Sequence, residues 1–279
     1  MECGRRPVMT NEATQDIRFG FGENWTRYLA DISQERIDEA VASLPKLLGD
    51  SLTGKSMIDI GSGSGLFSLA ARILGASVLS FDYDAKSVAC TAELKRRFFP
   101  NDKNWQVAQG SILDKGYIGQ LGQFDIVYSW GVLHHTGDMW KAINNAGSLV
   151  RKNGIFAIGI YNFLPGRRGT HTWQKLKRWY CAASPWKRTL WEYAYISWNL
   201  CYLVMVGRNP LKVIREHKKL RGMSWFRDVT DWLGGYPYEA ATAGEILEFV
   251  QANCGFTLIR QNVNTGLGVS EFVFRASKQ

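Results

Sequence analysis

The rhythm of apolar and polar positions changes three times along this chain. From Phe19 to Leu52 it is helical, with Ile37, Ala40, Val41, Leu44 and Leu48 recurring every three or four residues. Between 55 and 162 the pattern shortens. Five compact runs rich in β-branched and aromatic residues, Ser56–Ile60, Ala76–Phe81, Trp105–Gln109, Asp125–Ser129 and Ile155–Tyr161, read as strands. Helical spacing separates them, beginning with Leu66 to Leu74. Strands that alternate with helices predict a parallel sheet with right-handed crossovers. Residues 163–230 interrupt this order with a basic, aromatic and mostly helical stretch. The alternation then resumes. Thr242-Ala-Gly-Glu245 is a capping box that opens a helix to Ala252, and Phe256–Asn262 and Ser270–Arg275, joined through Asn264–Gly268, form an antiparallel pair. Residues 1–15 are polar and read as frayed.

The run Met57-Ile-Asp-Ile-Gly-Ser-Gly-Ser-Gly65 carries the first chemistry. A buried strand ends in a glycine turn that leads into a helix. Glycine suits a turn that visits positive φ and lets a ligand lie against the backbone, while the helix N-terminus leaves N–H groups facing that ligand. A nucleotide-like cofactor follows. A dinucleotide site would show G-x-G-x-x-G, whereas Gly61, Gly63 and Gly65 stand at alternate positions after Asp59. The second strand leads into Asp82, 21 residues beyond Gly61, where an acid can accept both hydroxyls of a ribose.

The D-x-G-x-G-x-G pattern resembles motif I of the class I S-adenosylmethionine-dependent methyltransferases. The resemblance continues in order through Gly110-Ser-Ile-Leu-Asp114, Phe124-Asp-Ile-Val-Tyr-Ser-Trp-Gly-Val-Leu-His-His135 and Leu149-Val-Arg-Lys-Asn-Gly-Ile-Phe156. It covers residues 55–162. The fold it implies is α/β: a doubly wound seven-stranded sheet, mostly parallel with the last strand antiparallel, carrying an inserted basic aromatic helical segment. The expected units are a helical cap (1–54), a cofactor-binding core (55–162), a helical insertion or lid (163–235) and a helix and strands that complete the core (236–279). The implied cofactor is S-adenosyl-L-methionine (SAM). Asp59, Gly61, Ser62, Gly63 and Gly65 would hold its methionine portion, Asp82 its ribose and Tyr83 its adenine. Ser111 and Ile112 fall at the adenine edge, although an aspartate often stands where Ser111 does. Trp130 falls in the same crevice.

Methyl transfer to a hydroxyl requires a nearby acceptor, exclusion of water and removal of a proton. His135 aligns with a histidine of small-molecule O-methyltransferases of the ubiquinone-biosynthesis type, and imidazole suits a general base. Two readings stay open: His135 takes the proton, or it bonds backbone and orders its loop. His134 joins it as a catalytic candidate, with a structural role or a substrate contact as its alternatives. A second polar–aromatic cluster spans Met223–Glu239. Gly234-Gly235-Tyr236-Pro237 predicts a sharp turn, with Asp228, Asp231, Tyr236 and Glu239 on or near a loop. This segment is similar to one in a bacterial subgroup of methyltransferases that shares Phe21-Gly-Glu-Asn-Trp25 and Ser80-Phe-Asp-Tyr-Asp84. That similarity implies a roof over the site, with Asp228 as a catalytic candidate in contact with substrate and Trp25, Asp231, Tyr236 and Tyr161 as substrate-binding residues. The alternative is a tight surface turn with a capped helix.

Composition narrows the remaining choices. The chain has 279 residues, 46% apolar and 21% charged, which is enough for one large core with an appendage. Five scattered cysteines without C-x-x-C spacing argue for a reducing compartment and against a disulfide framework or zinc site, and no metal is expected. The N-terminus lacks the apolar run of a signal peptide, so a cytoplasmic location is the default. The net charge of +9 is concentrated in residues 163–221, where thirteen Lys or Arg face Glu192 and Glu216. Within this segment Thr189–Gly207 holds Trp191, Tyr193, Tyr195, Trp198 and Tyr202, and is too short and interrupted to span a bilayer. It reads as a lid, as a membrane-peripheral helix on anionic lipid, or as a nucleic-acid surface. The function expected is methyl transfer to a hydroxyl of a small-molecule, lipid or glycan-linked acceptor. The alternative is a nucleic-acid methyltransferase docked through the basic insertion. Gly131-Val-Leu-His-His135 stands where amino-methylating nucleic-acid enzymes commonly place Asn-Pro-Pro-Tyr or Asp-Pro-Pro-Tyr, which disfavours base N-methylation, while Ile160-Tyr161-Asn162 after the fifth strand leaves room for an amide or amine acceptor. A binding module that has lost its chemistry is a third class, and the intact glycine loop with Asp82 argues against it.

Overall fold

The computed structural model describes residues 19–20, 22, 32–49, 51–221 and 225–277. Strand β1 (Ser56–Ile60) shows how the layers arise, because its side chains alternate between two faces. Met57 packs in one apolar cluster, while Ile58 and Ile60 pack in another. Both faces of the sheet are therefore covered, as a parallel sheet requires.

Helices α1 (Gln34–Leu48), α2 (Leu66–Ile73) and α3 (Ala85–Phe98) cover the Met57 face. Helices α5 (Met139–Ser148) and α10 (Ala243–Cys254) cover the Ile58 face. The other strands are β2 (Ser77–Asp82), β3 (Trp105–Gln109), β4 (Phe124–Trp130), β5 (Val150–Tyr161), β6 (Phe256–Asn262) and β7 (Val269–Ala276). A single turn of helix, α4 (Lys115–Ile118), links β3 to β4.

The seven-stranded sheet has the order β3-β2-β1-β4-β5-β7-β6. Pairing is parallel from β3 to β5, and β7 runs antiparallel to both β5 and β6. The strand order reverses between β1 and β4, and in such sheets ligands bind at the carboxyl ends of the strands beside the reversal. Side chains buried on both faces, such as Ile126, Val127 and Tyr128 of β4, lock the register.

The insertion adds α6 (Thr170–Ala182), α7 (Pro185–Met205), α8 (Pro210–Arg221) and α9 (Trp225–Gly234). It has its own apolar cluster around Tyr180, Cys181, Trp225, Val229 and Leu233.

Several sequence expectations need correction. Asp228 and Asp231 lie on α9 rather than on a loop, and the turn begins after Gly234. An apolar stripe of Trp225, Val229 and Leu233 drives that helix into the insertion's core. The long N-terminal helix is shorter among the described residues: α1 ends at Leu48, where Gly49 adopts φ 68°. Strand β5 begins five residues early, because Val150 pairs with Phe124 across a register shift. Residues 1–15 and Trp25 lie outside the described residues.

Candidate active site

A cleft of about 1170 Å³ opens at the carboxyl ends of β1, β2 and β4. The glycine loop forms one wall. Gly61, Gly63 and Gly65 adopt φ of 76°, 55° and 81°, which favour glycine. The amides of Gly61 and Ser62 donate to the Phe81 carbonyl at 2.8 and 3.2 Å, tying the loop to β2. The three glycines serve different ends. Gly61 and Gly63 line the cleft, whereas Gly65 does not: a Cβ there would sit 3.0 Å from Thr91 of α3. Gly65 is therefore needed for packing against α3.

Asp59 lies beneath the loop, 3% exposed, and accepts from Ser68 Oγ at 2.5 Å. Ser80 Oγ donates to Ser68 Oγ, and Trp105 Nε1 donates to Ser80 Oγ, extending this buried network across three strands. Burial pushes the Asp59 carboxyl up to about 7; the Ser68 bond opposes this and the charge of Asp82 adds to it. Asp82, at the end of β2, continues the same wall. Its Oδ2 accepts from the Gly63 amide at 3.0 Å and its Oδ1 from Asp84 N at 2.9 Å. Burial raises its carboxyl above the usual range, against the pull of those amides. Tyr83 is largely exposed at the rim, and Ile112 is buried in the floor. Asn145 Nδ2 on α5 holds the Ile112 carbonyl at 2.8 Å, and Ser111 Oγ accepts from Leu113 N at 3.2 Å. Trp130 stacks on Tyr128, with centroids 5.6 Å apart and planes at 4°. Together these groups suit a nucleoside: a strand-end acid for a diol, a glycine turn along which a ligand can lie against the backbone, and an apolar slot for a flat base.

The roof of the cleft comes from β5, the insertion and the segment after it. His135 follows β4 in a single 3₁₀ turn, Leu133–His135, and lines the cleft. Its Nδ1 lies 2.6 Å from the Pro237 carbonyl. A carbonyl only accepts, so Nδ1 carries the hydrogen and the neutral ring keeps its lone pair on Nε2. Burial pulls the imidazole down to about 3, against the Pro237 bond, and the Lys177 ammonium depresses it further. His134 is placed differently. It is 0% exposed, accepts from the Tyr161 amide through Nδ1 at 3.3 Å and does not line the cleft. Its ring packs 4.1 Å from that of Tyr161, so it supports the wall from behind. Burial holds it well below the ordinary histidine value.

Tyr161, Asp228, Asp231 and Tyr236 all line the cleft, as does His135. Asp228 Oδ2 stands 3.1 Å from His217 Nε2 of α8. Tyr195, Asn199, Trp225 and Trp232 from the insertion, and Asn264, Leu267 and Gly268 from the β6–β7 turn, complete the lining. Sequence reasoning assigned none of these to the site, and it did not single out Lys177. Lys177 is 1% exposed; its Nζ donates to the Trp232 carbonyl and sits 4.1 Å from the Trp232 ring and 4.9 Å from the Tyr238 ring. Burial draws its ammonium down to about 7, while Cys181 and Asp231 act the other way. Two hints stood in the sequence: Lys177 shares a helical face with Trp173 and Cys181, and it is flanked by aromatics. Among the described residues, no group of three or more His, Cys, Asp or Glu is placed to hold a metal ion.

Comparison with known proteins agrees with this geometry. A family model described as "Methyltransferase domain" matches residues 32–190. A ubiquinone biosynthesis O-methyltransferase from Rhodopseudomonas palustris (strain HaA2) is 27% identical over 143 residues, 44% of this chain and 53% of that protein. A ribosomal protein L11 methyltransferase from Prochlorococcus marinus (strain AS9601) is 34% identical over 158 residues, 52% of this chain and 48% of that protein. The chain thus spans about half the length of the curated relatives it matches. Among solved structures, magnesium protoporphyrin IX methyltransferase from Synechocystis PCC 6803 with bound SAH gives a TM-score of 0.51 at 16% identity, covering 98% of this chain and 90% of that one. The 1,6-didemethyltoxoflavin-N1-methyltransferase of Burkholderia thailandensis gives 0.52 at 15%, covering 98% and 93%. These likenesses show the fold, that of the class I SAM-dependent methyltransferases. The chain belongs to the methyltransferase domain family.

Proposed function

We propose that this protein transfers a methyl group from SAM to a hydroxyl of a small-molecule acceptor, with His135 receiving the proton. The observation that carries the reading is a single cleft with a glycine loop and Asp82 on one wall and His135 on the other. Gly61, Ser62 and Gly63 would hold the amino-acid end of SAM, Asp82 its ribose, and Tyr83, Ser111 and Ile112 its adenine. SAM supplies an electrophilic methyl when bound. The chain's own residues do the rest. Tyr161, Asp228, Asp231 and Tyr236 border the space left for the acceptor. The Pro237 carbonyl fixes the His135 tautomer, so that Nε2 is the atom that takes the hydroxyl proton. Burial keeps that nitrogen unprotonated throughout the neutral range, and the same desolvation lowers its basicity. The name O-methyltransferase among the curated relatives supports oxygen as the acceptor atom.

The test is a screen of phenols, alcohols, amines, protein and RNA with labelled SAM. A transferable methyl on a small hydroxyl compound is expected. His135→Ala should then lower kcat by about 10²-fold or more, the scale of general-base catalysis, while SAM affinity measured by calorimetry stays the same. Unchanged kcat would remove His135 as the base. Transfer to RNA or protein alone would overturn the acceptor class.

A further inference from the structure

We propose that the outer face of α7 and the helix ends beside it dock this protein on an anionic lipid bilayer. Helix α7 has 21 residues, about 30 Å of length, yet only Leu203 is buried. Trp186, Leu190, Tyr193, Trp198, Val204 and Met205 are each more than half exposed. A soluble monomer rarely leaves so many large apolar side chains along one helix in water. The acid of this helix is turned away from that face: the Glu192 carboxylate accepts from the Tyr180 hydroxyl on α6. Exposed Lys187 stands at the start of α7 and exposed Arg208 just beyond its end. The neighbouring helices add exposed Trp179, Arg178 and Leu211.

Three occupants fit an apolar face rimmed by cations, and the details separate them. Single-stranded RNA would stack its bases on Trp and Tyr, but Leu190, Val204, Met205 and Leu211 offer it no ring and stay wet. A second copy would bring two segments of residues 163–221 together, each with a surplus of eleven positive charges. An anionic bilayer satisfies both features at once. Aliphatic and aromatic side chains enter the acyl boundary while lysine and arginine reach the headgroups. None of the described helices is long and apolar enough to cross a membrane, so α7 would lie in the plane of the interface. This inference does not depend on the acceptor or on His135.

The experiment is sedimentation of the purified chain with large vesicles of phosphatidylcholine, with and without phosphatidylglycerol. The chain should pellet with the anionic vesicles, weakly with phosphatidylcholine alone, and less as salt rises. The triple variant Trp186→Ser, Leu190→Ser, Tyr193→Ser should lose about tenfold or more of this partition, since each side chain carries apolar area into the interface. It should keep its melting temperature, because all three side chains are exposed. Lys187→Gln with Arg208→Gln should weaken binding to anionic vesicles only. The proposal is overturned if no vesicle pellets the chain, or if the triple variant binds as the parent does. Preferential capture of single-stranded RNA that vesicles do not displace, or a dimer in ultracentrifugation abolished by the triple variant, would also overturn it.

Discussion

Asp59 is an acid almost wholly buried at the base of the cleft and bonded to Ser68 beneath the glycine loop. Its raised value has a thermodynamic consequence with a definite sign. Between about pH 4 and 7 the folded chain keeps this proton while the unfolded chain has lost it. Its contribution to stability therefore falls as pH rises through that window, and above pH 7 its cost is complete. Asp59→Asn keeps an acceptor for Ser68 without the charge. The variant should melt higher than the parent at pH 8, and the gap should close towards pH 4. Parallel melting curves across that range would show that Asp59 is not protonated on folding. Gly63 is the complementary case, where absence of a side chain is the requirement. At φ 55° an arginine is strained, and its side chain would enter the cleft that the loop lines. Gly63→Arg should lose SAM binding in calorimetry while its far-UV circular dichroism is kept; micromolar affinity would refute the loop's role.

At the level of elements, prediction succeeded where local pattern and tertiary packing agree. Ser56–Ile60, Trp105–Gln109 and Phe256–Asn262 lie where the apolar runs end in glycine or polar turns. It failed where a partner decides. Nothing local tells that Val150 joins β5, since Asn153-Gly154 between it and Ile155 reads as a turn. A lysine in a basic run reads as exposed, and the helical face it shares with Trp173 and Cys181 does not name its partner. Lys177 of α6 reaches the last turn of α9, where a cation suits exposed carbonyls. That contact anchors the turn leading to Pro237, whose carbonyl orients His135. Lys177→Met has similar length and no charge. It should lower kcat by about tenfold, roughly 1.4 kcal/mol of transition-state stabilisation, with SAM affinity intact. Equal losses in kcat and SAM affinity would instead mean that Lys177 supports the whole cleft.

Over the whole molecule, the cleft joins parts far apart in the chain: Phe19, the loop after β1, the ends of β2 and β4, the insertion and the β6–β7 turn. A ligand that binds only this assembled state must stabilise it. SAM at a hundredfold its Kd should add about 2.7 kcal/mol, read as a rise in Tm that Gly63→Arg abolishes; a Tm unmoved by saturating SAM would refute the cofactor site. The amino-acid sequence by itself determined the sheet and the cofactor loop, because strand alternation, glycine conformational freedom and a strand-end acid act over short spans of chain. Only the tertiary structure decided which polar groups matter around the acceptor space. It moved His134 into the wall, set His135 against Pro237, buried Lys177 and placed Asp228 beside His217. Burial and hydrogen-bond partners are properties of contacts between distant segments, and no local spacing encodes them.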